Sequence, residues 1–204
     1  MLLITVAEPK QGKSTVTANL SIALAEYGKT VVAVDCDMRL PNLHERFHLS
    51  NKSGLKNILE GTSDIESELK HPAEGISILT SGPHPANPSQ LLGSPHMAKV
   101  IEILREQFDF VLLDTPALLA VSDTAAIVQN MELAQNVNAF MLVVRQSHAQ
   151  RGQVQAASKF LKGFPGKCAG IVINHAGDVA GYYYYRVGKN GRRAKASERV
   201  QTQQ

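Results

Sequence analysis

Leu2-Leu3-Ile4-Thr5-Val6 runs directly into Ala7-Glu8-Pro9-Lys10-Gln11-Gly12-Lys13-Ser14-Thr15, and a helix-forming segment opens at Ser14. A strand-length apolar run, a tight loop ending in Gly-Lys-Ser and a helix form the context of a phosphate-binding loop. Backbone N–H groups of such a loop converge with the unsatisfied N–H groups of the first helical turn and favour an anion there. Glu8, Pro9, Lys10, Gln11, Gly12, Lys13, Ser14 and Thr15 are therefore expected around a nucleotide. Lys13 would reach the outer phosphates and the Ser14 hydroxyl would ligate Mg²⁺. Ala7 stands where a glycine is usual, a mild departure. The contrary reading is an ordinary strand-turn-helix with a surface lysine.

Outward from this loop, strand-length apolar runs alternate with helix-period segments. Strands are expected at Leu2–Val6, Thr30–Val34, Ile76–Thr80, Phe110–Leu113, Phe140–Val144 and Ala169–Ile173. Helices are expected from Ser14 to about Tyr27, with Val16, Leu20, Ile22, Leu24 and Ala25 as the apolar face and Gly28 as the stop. Further helices are expected at Pro41–Phe47, Leu55–Leu59, Pro95–Gln107, from Ser122 to Val128, and at Gly152–Leu161, with a structured loop from Ser81 to Pro88. The rhythm predicts an α/β chain, three-layer with a mostly parallel central sheet flanked by helices; with the phosphate-binding loop after the first strand, a P-loop NTPase fold is expected.

The 204 residues fit one body, residues 1–181, followed by a tail, 182–204. A 44% hydrophobic fraction with only 5% aromatics and no Trp predicts a core of Val, Ile, Leu and Ala, as suits a sheet covered on both faces. No apolar stretch approaches the ~18 residues of a membrane helix, and the opening residues lack the basic region of a signal peptide. The net charge of +3 resides in the tail, where Arg186, Lys189, Arg192, Arg193, Lys195 and Arg199 face only Glu198. The body is thus slightly acidic, and the tail reads as a solvated end rather than a nucleic-acid-binding segment. Cys36 and Cys168 lie in apolar runs without metal spacing and are expected to be buried, reduced thiols.

Acidic residues end two further strands. Val31-Val32-Ala33-Val34-Asp35-Cys36-Asp37 ends in two carboxylates and Val111-Leu112-Leu113-Asp114 in one. Ligands of open α/β sheets bind beyond the carboxyl ends of the strands, so Asp114 is placed to act on Mg²⁺. Asp35 and Asp37, two apart, would share a face, one near Mg²⁺ and one available as a base. Arg39 would neutralise phosphate charge. The bland reading of each acid is a helix cap. Asn174, at the last strand's end, either reads a purine edge or forms a turn.

His44-Glu45-Arg46-Phe47-His48 is a literal HExxH. A zinc site needs both histidines on one helix face and a third ligand, which no later segment supplies; packing or surface histidines are expected. Tyr182, Tyr183, Tyr184 and Tyr185 are consecutive. A period-two strand cannot bury all four. Beside a phosphate-transfer site they read as a phosphorylatable tail.

These pieces resemble the bacterial tyrosine kinases of capsule and exopolysaccharide export, P-loop proteins related to the septum-site-determining and partitioning ATPases. The resemblance rests on Ala7–Thr15, on Val31–Arg39 followed by Pro41, and on Ser81-Gly82-Pro83 with Asn87-Pro88-Ser89-Gln90-Leu91-Leu92. It continues in Val111–Pro116 with Val121-Ser122-Asp123, in Leu142–Arg145 and in the tyrosine cluster. Partitioning-type ATPases carry a signature lysine five residues before the P-loop lysine; Glu8 stands there, and Lys10 is out of register. The resemblance implies ATP/ADP and Mg²⁺ as cofactors, Lys13 on phosphates, Ser14 and Asp37 on Mg²⁺, and Asp114 as the Walker B acid. It also implies Asp35 as base toward a tyrosine hydroxyl, and Tyr182–Tyr185 as acceptors phosphorylated between neighbouring subunits of a homo-oligomeric ring.

The resemblance further implies a membrane-embedded polysaccharide co-polymerase as activator, either separate or within a longer protein. That would place the chain in the cytoplasm, at the inner face of the membrane. The family's helix before the first strand, with its Glu/Arg oligomerisation motif, has no counterpart in these residues, which leaves the ring unsupported. Two other functions fit parts of the pattern: a partitioning-type ATPase switch, and a nucleotide-bound, non-catalytic regulator of polysaccharide polymerisation.

Overall fold

The computed structural model describes residues 1–119, 138–146, 148–162 and 166–175. Its strands are β1 (Leu2–Val6), β2 (Val31–Asp35), β3 (Leu69–Ala73), β4 (Ile76–Leu79), β5 (Phe110–Asp114), β6 (Ala139–Arg145) and β7 (Lys167–Asn174). Its helices are α1 (Lys13–Glu26), α2 (Leu43–Arg46), α3 (Leu55–Leu59), α4 (Ile65–Glu68), α5 (Pro88–Leu92), α6 (Pro95–Gln107) and α7 (Arg151–Lys162). The seven strands form one sheet in the order β3-β4-β2-β5-β1-β6-β7. Every pairing is parallel except β3 with β4. The helix expected from Ser122 to Val128, the segment Val121–Asp123, the tyrosine cluster and the tail lie outside the described residues.

The apolar strands have two cores because both sheet faces are covered. Leu3, Val32, Val34, Val111 and Leu113 pack with α6 and α7, while Ile4, Val31, Ala33 and Leu112 pack on the face of α1 and α2. Helix α6 shows how the sequence sets an element: Ser94 caps it by accepting from Met97 N, and Pro95 takes the first turn. Met97, Val100, Ile101 and Leu104 then recur on one face and are all buried, each contributing about 1.5–3 kcal/mol through its apolar surface.

Three expectations are corrected. Of the expected α1 face, Val16, Leu20, Leu24 and Ala25 pack against the core, but Ile22 is exposed, and the most deeply buried positions are Thr17, Ala18 and Ser21. Small residues let the helix lie close to the sheet, and the hydroxyls of Thr17 and Ser21 satisfy themselves on Lys13 O and Thr17 O. Cys36 is fully buried, but Cys168 is exposed because β7 is an edge strand. The edge hairpin partner β3, which contains Pro72, was not expected; its residues alternate poorly, and proline is tolerated at a sheet edge.

Candidate nucleotide-binding site

The loop between β1 and α1 contains two left-handed residues, one of which requires glycine. Lys10 (φ 64°) and Gly12 (φ 88°) are left-handed, and Gly12 opens α1. A Cβ on Gly12 would collide with Asn174 Nδ2. That amide donates to Gln11 O at 3.1 Å, and its Oδ1 accepts from His175 N at 2.9 Å. Arg145 Nη1, at the end of β6, donates to Lys10 O at 3.5 Å. The ends of β6 and β7 therefore brace the loop from behind. The sequence readings of Asn174, a purine contact or a turn, did not include this bracing role.

A cavity of about 570 Å³ opens over the loop, within the range of small-molecule sites. Pro9–Thr15 line it together with Asp37, Arg39, Asn42 and Arg46, which follow β2, and with Arg145 and His175, at the ends of β6 and β7. Lys13 Nζ lies 2.8 Å from Asp114 Oδ1 and 3.6 Å from Asp37 Oδ2. Burial opposes the Lys13 charge, but Asp114, Asp37 and Asp35 outweigh it and raise its pKa above the ordinary lysine value. Thr17 Oγ1 also reaches Asp114 Oδ1, at 3.2 Å. Asp114 Oδ2 is buried without a hydrogen-bond partner. Burial raises the pKa of Asp37, against the pull of Lys13.

Asp35 departs from its expected place. It is fully buried and does not line the cavity. Its Oδ1 accepts from Asp37 N at 3.2 Å, and its Oδ2 from Asn42 N at 3.1 Å and Leu43 N at 2.9 Å. The two carboxylates are engaged differently: Asp35 accepts from the backbone leading into α2, whereas Asp37 accepts from Leu40 N and lines the cavity. Asp35 caps the approach to α2, and Asp37 faces the cavity. Burial, followed by the charge of Asp114, pushes the Asp35 carboxyl up to about 7. A base toward a substrate hydroxyl must come within hydrogen-bond reach of it, and in this structure both Asp35 oxygens are engaged by backbone N–H groups. Glu8 likewise lies outside the cavity wall.

The donor set fits Mg²⁺. Mg²⁺ is usually held by one or two carboxylates together with substrate phosphates and water, not by an all-protein cage. Asp37, the Ser14 hydroxyl and the unpartnered Asp114 Oδ2 supply such a set. No group of three His, Cys, Asp or Glu that could hold a metal exists among the described residues. In the HExxH segment α2 ends at Arg46, and His48 (φ 53°) lies beyond the helix.

Sequence reasoning gave no site role to Thr17, Arg46, Arg145 or His175. Thr17 carried a signal, being one helical turn from Lys13. Arg145 carried another, as a charge ending an apolar strand.

Residues 4–202 match the family described as the CobQ/CobB/MinD/ParA nucleotide binding domain. The putative tyrosine-protein kinase EpsB of Ralstonia nicotianae is 35% identical over 175 residues, 85% of this chain but 22% of EpsB. This chain therefore spans about a fifth of that relative's length. The putative tyrosine-protein kinase CapB of Staphylococcus aureus is 33% identical over 90% of this chain and 79% of its own. Among solved structures, the kinase domain of the Escherichia coli tyrosine kinase ETK superposes with TM-score 0.79 at 29% identity, covering 90% of this chain and 70% of that one. The septum site-determining protein MinD of Pyrococcus horikoshii, complexed with Mg-ADP, gives TM-score 0.68 at 26% identity, covering 87% and 72%.

Proposed function

From a chain that belongs to the CobQ/CobB/MinD/ParA nucleotide-binding family, and within it to the branch of the bacterial tyrosine kinases, we infer an ATP- and Mg²⁺-dependent protein-tyrosine kinase that phosphorylates its own tyrosine cluster. The observation that carries this reading is the convergence of Lys13, Asp37 and Asp114 over the Gly12–Thr15 turn. Glu8 in place of the partitioning-type lysine, and the presence of Tyr182–Tyr185, favour the kinase over the ATPase switch.

The loop N–H groups and Lys13 bind the phosphates. Ser14, Asp37 and Asp114 would hold Mg²⁺, which supplies charge neutralisation at the transferring group. Arg39, which lines the same cavity, adds positive charge. The tyrosine phenol oxygen forms a bond to the terminal phosphorus as the bond from that phosphorus to ADP breaks. The phenol, of pKa ~10, loses its proton late, to water, because the loose transition state demands little of a base. The protein's work is positioning and charge stabilisation.

The resemblance extends this reading to a membrane-embedded activator that would bring the kinase to the inner face of the membrane and to control of polysaccharide export. None of the described helices is long and apolar enough to cross a membrane. The test is incubation with γ-labelled ATP and Mg²⁺, with and without the activator's cytoplasmic segment. Label on tyrosine, lost when Tyr182–Tyr185 become Phe, supports the proposal; free phosphate without label makes the chain an ATPase; neither product makes it a binding module.

A further inference from the structure

Arg46 is a basic residue lining the cavity that the phosphoryl transfer above does not use. It ends α2, and its Nε donates to Asn42 Oδ1 at 2.9 Å. Asn42 is fixed in turn, its amide Nδ2 on Glu45 Oε2 at 2.6 Å and its backbone N on Asp35 Oδ2 at 3.1 Å. The acidic neighbour Glu45 is thus tied to Asn42, and no ion pair to Arg46 exists among the described residues. A guanidinium held by Nε presents its two terminal nitrogens as a fork, the geometry that suits a phosphate.

Its place in the fold assigns it to the acceptor side. β2 and β5 lie on one side of β1, and β6 and β7 on the other. Asp37 and Asp114 come from the β2/β5 side, so the terminal phosphate of a bound nucleotide is directed there. α2 follows β2 and carries Arg46, which lines the same cavity as Asp37, while Arg145 and His175 come from β6 and β7 on the other side of β1 in the sheet order. The sequence supplies a matching ligand: residues 179–187 contain four tyrosines and no acidic residue. An anion beside an acceptor tyrosine arises only after a first transfer, when phosphotyrosine brings about −1.5 to −2 charge.

We propose that Arg46 binds the phosphate of a phosphotyrosine adjacent to the acceptor, so that one phosphorylated tyrosine of the cluster makes its neighbours better substrates. This rests on the kinase reading only for the origin of the first phosphate. In each transfer the phenol oxygen gains the phosphoryl group, ADP leaves and the proton passes to water.

The experiment measures binding of a labelled peptide of residues 179–188, with and without phosphate on Tyr182, to the full chain. The wild type is expected to bind the phosphopeptide about tenfold more tightly, as a charge-assisted contact implies. Arg46→Ala should abolish the preference, Arg46→Lys should retain part of it, and Arg105→Ala, on the surface of α6, should keep it. In intact-mass time courses with ATP, the wild type should pass quickly from one phosphate to several, while Arg46→Ala accumulates the singly phosphorylated chain. A preference absent from the wild type, or surviving in Arg46→Ala, overturns the proposal. An Arg46-dependent preference in a chain that makes no phosphotyrosine would refute the kinase reading and leave the subsite standing. Phosphotyrosine formed without any peptide preference would do the reverse.

Discussion

Lys13 Nζ and Asp114 Oδ1 form a buried ion pair of 2.8 Å that ties the first turn of α1 to the end of β5. The pair joins the P-loop to the strand that would carry the metal carboxylate, so the lysine supports the fold as well as the site. Removing one member of a buried pair strands the other charge. Lys13→Met should abolish phosphotyrosine formation and also destabilise the chain by about 3 kcal/mol near neutral pH. A Lys13→Met variant as stable as the wild type in urea at pH 7.5 would contradict the pair's structural role.

Asp35 gives a signed pH dependence. Its folded carboxyl titrates at about 7 against an ordinary 3.8. The folded state therefore binds a proton that the unfolded state has already released between these values. Ionising Asp35 destabilises the fold, an effect fully present above pH 7 and relieved as pH falls from 7 toward 4. The urea midpoint of the wild type should rise over that window, and Asp35→Asn should flatten the rise.

The same residue discriminates between two mechanisms. A positioned general base contributes about 10²–10⁴-fold. Because Asp35 is a cap and not a wall residue, Asp35→Asn should reduce kcat by less than about tenfold in a chain that still melts cooperatively. A loss of three orders of magnitude with unchanged KM for ATP would restore Asp35 as the base.

Much of this fold was legible because parallel strands buried on both faces read as unbroken apolar runs. Helices α3 and α6 fall on their expected residues, Leu55–Leu59 and Pro95–Gln107, because each has a clear stop or cap. The site was legible where the backbone dictates the side chain, as at Gly12 and Lys13. It was not legible at Asp35, whose partners Asn42 N and Leu43 N lie seven and eight residues on, beyond any local strand pattern. Nor was it legible at Asn174, whose partner, Gln11 O, is 163 residues away. Contacts of that length leave no local pattern.

Gly12 and Asn174 should be coupled. Gly12→Ala puts a side chain at φ 88° and a Cβ onto the Asn174 amide. Strain of roughly 1–2 kcal/mol from the backbone adds to the collision. Nucleotide affinity should fall at least about tenfold, since ~1.4 kcal/mol corresponds to that factor. Asn174→Ala alone should weaken binding by releasing the loop carbonyl. The double variant should be less impaired than the sum of the two, because the second change removes the object of the collision. Strict additivity in a thermal-shift and nucleotide-binding cycle would show that the two residues do not pack together.

Asp37 provides the test of the metal assignment. It is the carboxylate that lines the cavity, and Leu40 N donates to its Oδ1 at 3.1 Å. If Asp37 helps hold Mg²⁺, Asp37→Asn should raise the Mg²⁺ concentration needed for nucleotide binding by about tenfold or more. Without Mg²⁺ the same change should act in the opposite direction. A carboxylate facing the phosphates repels them when no cation intervenes, so Asp37→Asn should bind nucleotide in EDTA at least as tightly as the wild type. The two signs separate a ligand from a merely structural acid, whose loss would weaken binding under both conditions. Fluorescent-nucleotide titrations at several Mg²⁺ concentrations read both effects in one experiment, and parallel weakening in EDTA would remove Asp37 from the metal set.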